Sequence, residues 1–134
     1  MGTSAATVFY TEKDGEIIAY LHRHFDGMPE SHGGDLKDFL RDKRIVDGIG
    51  TEHDLDKIFN GMGCLAAAVV AHFKTGPGNF YLRPMPKEGA IGLDDDYVYH
   101  VYPHSMLDVD NKDGSRIVVK TTDGDDVIEE TVLQ

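Results

Sequence analysis

The sequence has one cysteine, no tryptophan and no long apolar run, and these shortages exclude several classes of protein. The single cysteine, Cys64, cannot form a disulfide within the chain and cannot by itself supply a cysteine-based zinc site. The longest apolar run spans eight residues, from Cys64 to Ala71, whereas a helix that crosses a bilayer needs roughly 20. The chain does not open with a basic segment followed by an apolar stretch, so we expect no signal peptide. We therefore expect a soluble, cytoplasmic protein.

Basic residues are also scarce. The chain has 13 lysines and arginines against 24 aspartates and glutamates, which gives a net charge of −11 with the histidines neutral. Proteins that bind a nucleic-acid backbone or an anionic membrane need a basic face, so we expect neither partner; an unknown protein partner fits this charge. The acidity is greatest after residue 93 and predicts a solvated acidic face. The alternative is a surface that imitates a nucleic-acid backbone.

The dipeptide Asp-Gly occurs five times and separates strand-like segments. Asp-Gly tolerates positive φ at low steric cost and favours hairpin turns. Strand-like runs flank three of the five, at 14–15, 113–114 and 123–124. The run Met106–Val109 would be the strand before Asp113-Gly114. We predict strands at 6–12, 16–24, 79–83, 97–102 and 115–121, with a last strand after 124.

Two segments have helical patterns. Residues 34–44 carry apolar side chains at i, i+3 and i+4, with acidic residues early and basic residues late, which is typical of a short amphipathic helix. Residues 61–74 are apolar almost all round and end at a Gly-Pro-Gly stop, so we expect a mostly buried helix. With 40% apolar residues, the chain can fill the core of one domain spanning 1–134. The predicted fold class is α+β: an antiparallel sheet built from hairpins, with two helices packed on one face.

Three histidines and two carboxylates lie close together between His22 and His32. If the second strand continues to Phe25, its alternation puts His22 and His24 on one face. Two imidazoles at this spacing can share a divalent metal, with His32 or Asp26 as a further ligand. The alternative is that Asp26 accepts hydrogen bonds from the crowded imidazoles and no cation is present. We expect the hydrogen-bonded arrangement, with this segment forming the most polar concave feature of the protein.

Cys64 lies in the first turn of the second predicted helix, where the helix dipole and free N–H groups favour a thiolate. A Cys-His hydrolase or transferase places its nucleophile in this way, with the histidine on a later strand, for which His100 is the candidate. His24 and Asp26 complete the hypothetical catalytic set. The alternative is that Cys64 is a small, buried core residue. We expect the buried alternative and slow reaction of the native thiol.

The segment 108–114 has the acidic character of a calcium loop without its pattern. The EF-hand loop needs an oxygen ligand at position 5, glycine at 6 and glutamate at 12, and this chain has Lys112, Asp113 and Val119 there. We expect a turn without a calcium site. Apart from the divalent metal considered for the histidines, we expect no cofactor.

Two stretches, 20–34 and 60–82, resemble a family of small bacteriophage and bacterial proteins to which no activity is assigned. The first carries His-x-Asp-Gly-x-Pro-x-x-His-Gly; the second begins with Asn-Gly-Met-Gly-Cys-Leu-Ala-Ala and ends with Phe-Tyr-Leu. The resemblance implies a phage-type accessory protein and brings no catalytic residues with it. We expect a binding or interaction module. The alternatives are the Cys64 hydrolase or transferase and a metal-dependent enzyme that uses segment 22–32.

Overall fold

A computed structural model describes residues 2–86, 91 and 94–134, and these residues adopt an α+β fold, as the sequence predicts. None of the helices in these ranges is long and apolar enough to cross a membrane. The strands are β1 (Ala5–Tyr10), β2 (Ile17–Arg23), β3 (Arg44–Val46), β4 (Ile58–Asn60), β5 (Phe80–Arg83), β6 (Tyr97–Pro103), β7 (Ile117–Asp123) and β8 (Asp126–Val132). The α-helices are α1 (Gly34–Leu40), α2 (Gly61–Phe73) and α3 (Met106–Val109).

Six strands form the main sheet in the order β5-β2-β1-β6-β7-β8, and β3 and β4 form a small parallel pair. The hairpins β1–β2 and β7–β8 are confirmed, with positive φ at Asp14 and Gly124 in their turns. The pairing of β1 with β6 is parallel, so the expectation of an entirely antiparallel sheet is wrong at this position. A parallel neighbour needs a long crossover, and the segment between β2 and β6, which contains α1 and α2, provides it.

Both α1 and α2 pack on one face of the main sheet, as predicted. Alternate residues of the strands point to this face and join the helices in a single apolar core. Its largest fully buried side chains include Phe9 and Tyr99 from the sheet, Leu36 and Leu40 from α1, and Leu65 from α2. The opposite face has a smaller cluster around Val8, Tyr20 and Val98. Polar side chains therefore have room on this second face.

The helix α2 is covered on one side only, so the expectation of a mostly buried helix is wrong for its other side. Its buried residues recur at helical spacing, at Met62, Leu65, Ala66, Val69 and Phe73. Its exposed positions carry small residues and a histidine in place of the usual charges, at Gly63, Cys64, Ala67, Ala71 and His72. Cys64 is exposed, and the expectation that it is buried is therefore wrong.

Two other elements differ from their predictions. The helix predicted at 34–44 ends at Leu40, because the chain turns there and begins β3 at Arg44. The segment Met106–Val109 is a helical turn, not a strand. The Asp113-Gly114 turn therefore does not join two strands of a hairpin. It places Ser115 against Ile45 in an isolated antiparallel bridge, which connects the main sheet to β3.

Candidate functional site

A groove of about 510 Å³ lies on the sheet face opposite the helices, at the end of the sheet where β2 leaves it. Antiparallel pairing places His22 of β2 beside Ala6 of β1 and Tyr81 of β5. Because side chains alternate along a strand, His24 lies on the same face as His22, as predicted, and their ring centroids are 6.0 Å apart. We call this the histidine groove; its lining residues are Gly2, Ser4, His22, His24, Phe25, Arg83 and Asp94.

The Asp95 carboxylate holds His22 in place. Its Oδ1 atom lies 2.8 Å from His22 Nδ1, and its Oδ2 atom accepts a hydrogen bond of 2.7 Å from the Tyr20 hydroxyl. The side chain of Asp95 is 1% exposed and that of His22 is 6% exposed, so water competes little for this pair. A carboxylate that accepts from Nδ1 fixes the tautomer and orientation of an imidazole. The other ring nitrogen of His22, Nε2, is not engaged by Asp95.

His22 Nε2 has no hydrogen-bond partner among the residues that the structure describes. With Nδ1 donating to Asp95, a neutral imidazole presents a lone pair at Nε2. The groove therefore holds an oriented acceptor that is open to solvent, beside the more exposed ring of His24. A group that donates a hydrogen bond, such as an amide, a hydroxyl or an ammonium, is the chemical complement of this atom.

Aromatic side chains form the rim of the histidine groove. Phe25 contacts the His24 ring with centroids 4.5 Å apart, and Tyr81 approaches the His22 ring at 6.3 Å. Both aromatic residues are 49% exposed. Arg83 and Asp94 place charges of both signs in the lining. The groove thus combines apolar contact area with donors and acceptors, as ligand and peptide sites do.

His32 is separated from His22 and His24 by the sheet. It is fully buried on the helix face, where its Nε2 atom lies 2.7 Å from Thr7 Oγ1 and its ring stacks on Phe73. Arg23 donates to its Nδ1 atom at 3.1 Å. Burial, and next the nearby Arg23 charge, lower the pKa of His32 to about 3. The structure therefore places His32 as a neutral member of the core and does not bring together the set of three histidines proposed as metal ligands.

Asp26 does not accept the hydrogen bonds expected from the histidines. It is exposed and adopts φ of +60° in the turn after β2, a conformation that aspartate tolerates. Asp95, and not Asp26, accepts the hydrogen bond from His22. Sequence reasoning missed Asp95 and Arg83. The run Asp94-Asp95-Asp96 directly before β6 is the sequence signal for this carboxylate. It points to His22 only once β6 is known to pair in parallel with β1, because that pairing brings the start of β6 to the end of β2.

The structure does not bring Cys64 and His100 together. Cys64 is exposed on α2, whereas His100 lies on the opposite face of the sheet. There its Nδ1 atom accepts from the Tyr10 hydroxyl at 2.5 Å, and its Nε2 atom lies 3.1 Å from Thr122 Oγ1. Burial, and next the charge of Lys120, lower the pKa of His100 to about 4. Both ring nitrogens of His100 are therefore occupied.

No group of three or more metal-ligating side chains is arranged to hold a metal ion within the described ranges. Comparisons with protein-family models, curated protein sequences and solved structures find no match for this chain.

Proposed function

We propose that this chain is a phage-type accessory protein that acts as a binding module, and that the histidine groove is where it binds its partner. The observation that carries the proposal is the His22 imidazole: Asp95 fixes its orientation, and its Nε2 atom has no hydrogen-bond partner among the described residues and faces an open groove. No buried side-chain polar atom of the described residues lacks a hydrogen-bond partner, so Nε2 is open to the solvent in the groove. A partner that donates a hydrogen bond to Nε2 would replace water at an acceptor that is already oriented.

The partner we propose is a segment of another protein. Exposed Phe25 and Tyr81 flank the groove, and aromatic residues are enriched in protein interfaces, where they bury much area at low entropic cost. The groove borders β5, which is an edge strand of the sheet, and edge strands accept extended peptides. The net charge of −11 argues against nucleic acid as the direct partner. An exposed free thiol at Cys64 fits the reducing cytoplasm, which in this proposal is that of the host cell.

The second candidate function is catalysis with His22 as a general base, and the His22–Asp95 pair favours it. Catalytic histidines are oriented by a carboxylate in this way. A covalent mechanism also needs a nucleophile within reach of the base. The hydroxyl in the described lining is that of Ser4, whose Oγ atom accepts from the Asp96 amide at 3.2 Å. Because no hydrogen bond among the described residues joins Ser4 to His22, binding is the function that the geometry supports better.

A random peptide library displayed on ribosomes tests the proposal. Peptides are selected on the wild-type protein, and their dissociation constants are measured against single variants. We expect micromolar binders that are weakened about tenfold or more, or about 1.4 kcal/mol, by both His22→Ala and Asp95→Asn. The second substitution keeps the shape of the side chain but lets its amide donate to Nδ1, which turns Nε2 from an acceptor into a donor.

His72→Ala is the matched control, because His72 is an exposed histidine on α2, across the sheet from the groove. Binding to this variant should equal binding to the wild type. Circular dichroism confirms that each variant is folded. Selected peptides that bind all folded variants equally, or a selection that enriches no peptide, would contradict the proposal. Faster hydrolysis of p-nitrophenyl acetate by the wild type than by a folded His22→Ala variant would favour the catalytic alternative.

A further inference from the structure

Three basic side chains lie in a row across neighbouring strands at the opposite end of the sheet from the histidine groove. Ser115 and Ile45 exchange both backbone hydrogen bonds, at 2.8 and 2.9 Å, so antiparallel geometry places Arg116 opposite Arg44. His104 lies on the other side of Arg116, since its backbone amide donates a hydrogen bond of 2.9 Å to the Arg116 carbonyl oxygen. Arg44, Arg116 and His104 therefore form a continuous cross-strand row, which we call the basic row.

Within the described part of the chain, the arginines of the basic row form none of the ion pairs that usually compensate such an arrangement. Like charges directly opposite each other on neighbouring strands destabilise a sheet. Among the residues that the structure describes, no carboxylate lies within 4.0 Å of the guanidinium groups of Arg44 and Arg116. Both arginines are half-buried, so water screens their repulsion less than on an open surface. An arrangement of this kind is stabilised when an anion binds between the charges.

A cavity of about 620 Å³ opens over the basic row. Its remaining lining comes from α3 and the turn after it: Asp108, Asn111, Lys112, Asp113 and Gly114. Gly114 has φ of +75°, and a Cβ atom there would come within 2.5 Å of the Ile45 carbonyl oxygen. The tight turn therefore requires glycine, and it brings Lys112 and Asn111 to the same cavity as the arginines.

We propose that this cavity binds a small molecule that carries a phosphate group. Two neighbouring guanidinium groups match the geometry of a phosphate, which each can bind through two parallel hydrogen bonds. The volume lies within the range of small-molecule sites and exceeds what a bare phosphate fills, so it accommodates an organic portion such as a sugar. Asp108 and Asp113 at the wall, and the net charge of −11, disfavour a polyanion such as nucleic acid. This site is independent of the histidine groove.

Isothermal titration calorimetry with ribose 5-phosphate tests the proposal. We expect a submillimolar dissociation constant that increases about tenfold or more in Arg44→Gln and in Arg116→Gln. Ribose should not bind. Inorganic phosphate should bind more weakly than the ester; if the two bind equally through the same arginines, the anion site is supported and its ligand is free phosphate. The titration is repeated in sodium sulfate and in sodium chloride at matched ionic strength. Sulfate should weaken the binding of ribose 5-phosphate more than chloride does if the anions compete for the site, whereas screening alone weakens it equally in both salts.

Arg41→Gln is the matched control, since Arg41 is an exposed arginine paired with Asp38 outside the cavity. It should leave the affinity unchanged. A second readout uses thermal unfolding: saturating ribose 5-phosphate should raise the thermal midpoint of the wild type and of Arg41→Gln, and should leave the midpoint of Arg116→Gln nearly unchanged. The proposal is wrong if neither phosphate compound binds, or if binding survives in both cavity variants.

Discussion

At the scale of single residues, Asp95 has the largest influence on the candidate site. It joins two strand residues, His22 and Tyr20, through its two carboxylate oxygens. Its neighbour Asp96 bonds the Ser4 amide at 2.9 Å. These two aspartates therefore fasten the start of β6 to the strands on which the histidine groove is built. A groove of this kind is positioned by hydrogen bonds made before any ligand arrives, which reduces the ordering cost of binding.

The exposure of Cys64 leads to a prediction opposite to the one from the sequence. Since the thiol is accessible in the native protein, we expect 5,5′-dithiobis(2-nitrobenzoic acid) to label it at a rate within about tenfold of the rate in the unfolded chain. The absorbance of the released thiolate measures both rates. Cys64→Ser provides the blank. Labelling that occurs only after denaturant is added would show that the thiol is covered in solution, for example by another copy of the chain.

At the scale of elements, buried His32 fastens the short π-helical turn Pro29–Gly33 to the sheet. Tyr99 fastens the chain just before this turn, because its hydroxyl donates a buried hydrogen bond of 2.6 Å to the Gly27 carbonyl. His32 reaches Thr7 on β1 and Arg23 on β2. A neutral imidazole can accept from Arg23 and donate to Thr7 at once. A protonated imidazole has no acceptor, so protonation removes the contact to Arg23 and sets two cations side by side.

This arrangement predicts that stability falls as the pH decreases below the ordinary histidine pKa. Folding lowers the pKa of His32 from 6.5 to about 3 and that of His100 from 6.5 to about 4. Below pH 6.5, both histidines therefore become protonated in the unfolded chain while they stay neutral in the folded chain. Stability is fully present above pH 6.5 and is lost progressively as the pH falls toward 4, with a limiting slope of about 1.4 kcal/mol per pH unit for each histidine.

Urea unfolding between pH 7 and pH 5 measures this slope, since most carboxylates stay ionised there. The single variants His32→Gln and His100→Gln should each reduce the slope of the free energy of unfolding against pH, because each removes one histidine that binds a proton only in the unfolded chain. Equal slopes in the wild type and both variants would show that neither buried histidine is neutral in the folded state.

The sequence predicted the elements better than their arrangement. Asp-Gly turns and alternating apolar residues located the hairpins, because these signals are local. The orientation of β6 against β1 depends on a crossover of more than 70 residues, which no local pattern encodes. This orientation decides the site: a parallel β6 begins beside the end of β2 and brings Asp95 to His22, whereas an antiparallel β6 would place it at the far end of the sheet. The His22–His24 pair was predictable because both residues lie on one strand.

At the scale of the whole molecule, most of the acidic residues after residue 93 lie in three separate places. The run Asp94–96 lies at the histidine groove, Asp108 and Asp113 line the cavity over the basic row, and a third group flanks exposed Val127 and Ile128 on β8. The first two places lie at opposite ends of β6, roughly 20 Å apart for a strand of this length. The third lies on an edge strand, where charges prevent pairing with another chain. Carboxylates dispersed in this way do not form the continuous row that imitation of a nucleic-acid backbone needs.

The charge balance predicts that salt stabilises the protein. Carboxylates outnumber basic groups 24 to 13, and the described residues contain two ion pairs of lysine or arginine with a carboxylate, Lys37–Glu129 and Arg41–Asp38. Screening therefore weakens more repulsion than attraction. We expect the thermal midpoint to rise by a few degrees between about 10 and 150 mM sodium chloride. Calcium chloride at equal ionic strength should act in the same way, because segment 108–114 lacks the ligands of a calcium loop. A midpoint that falls with salt would show that ion pairs outweigh the repulsion, and a saturable rise at micromolar calcium would reveal a dedicated cation site.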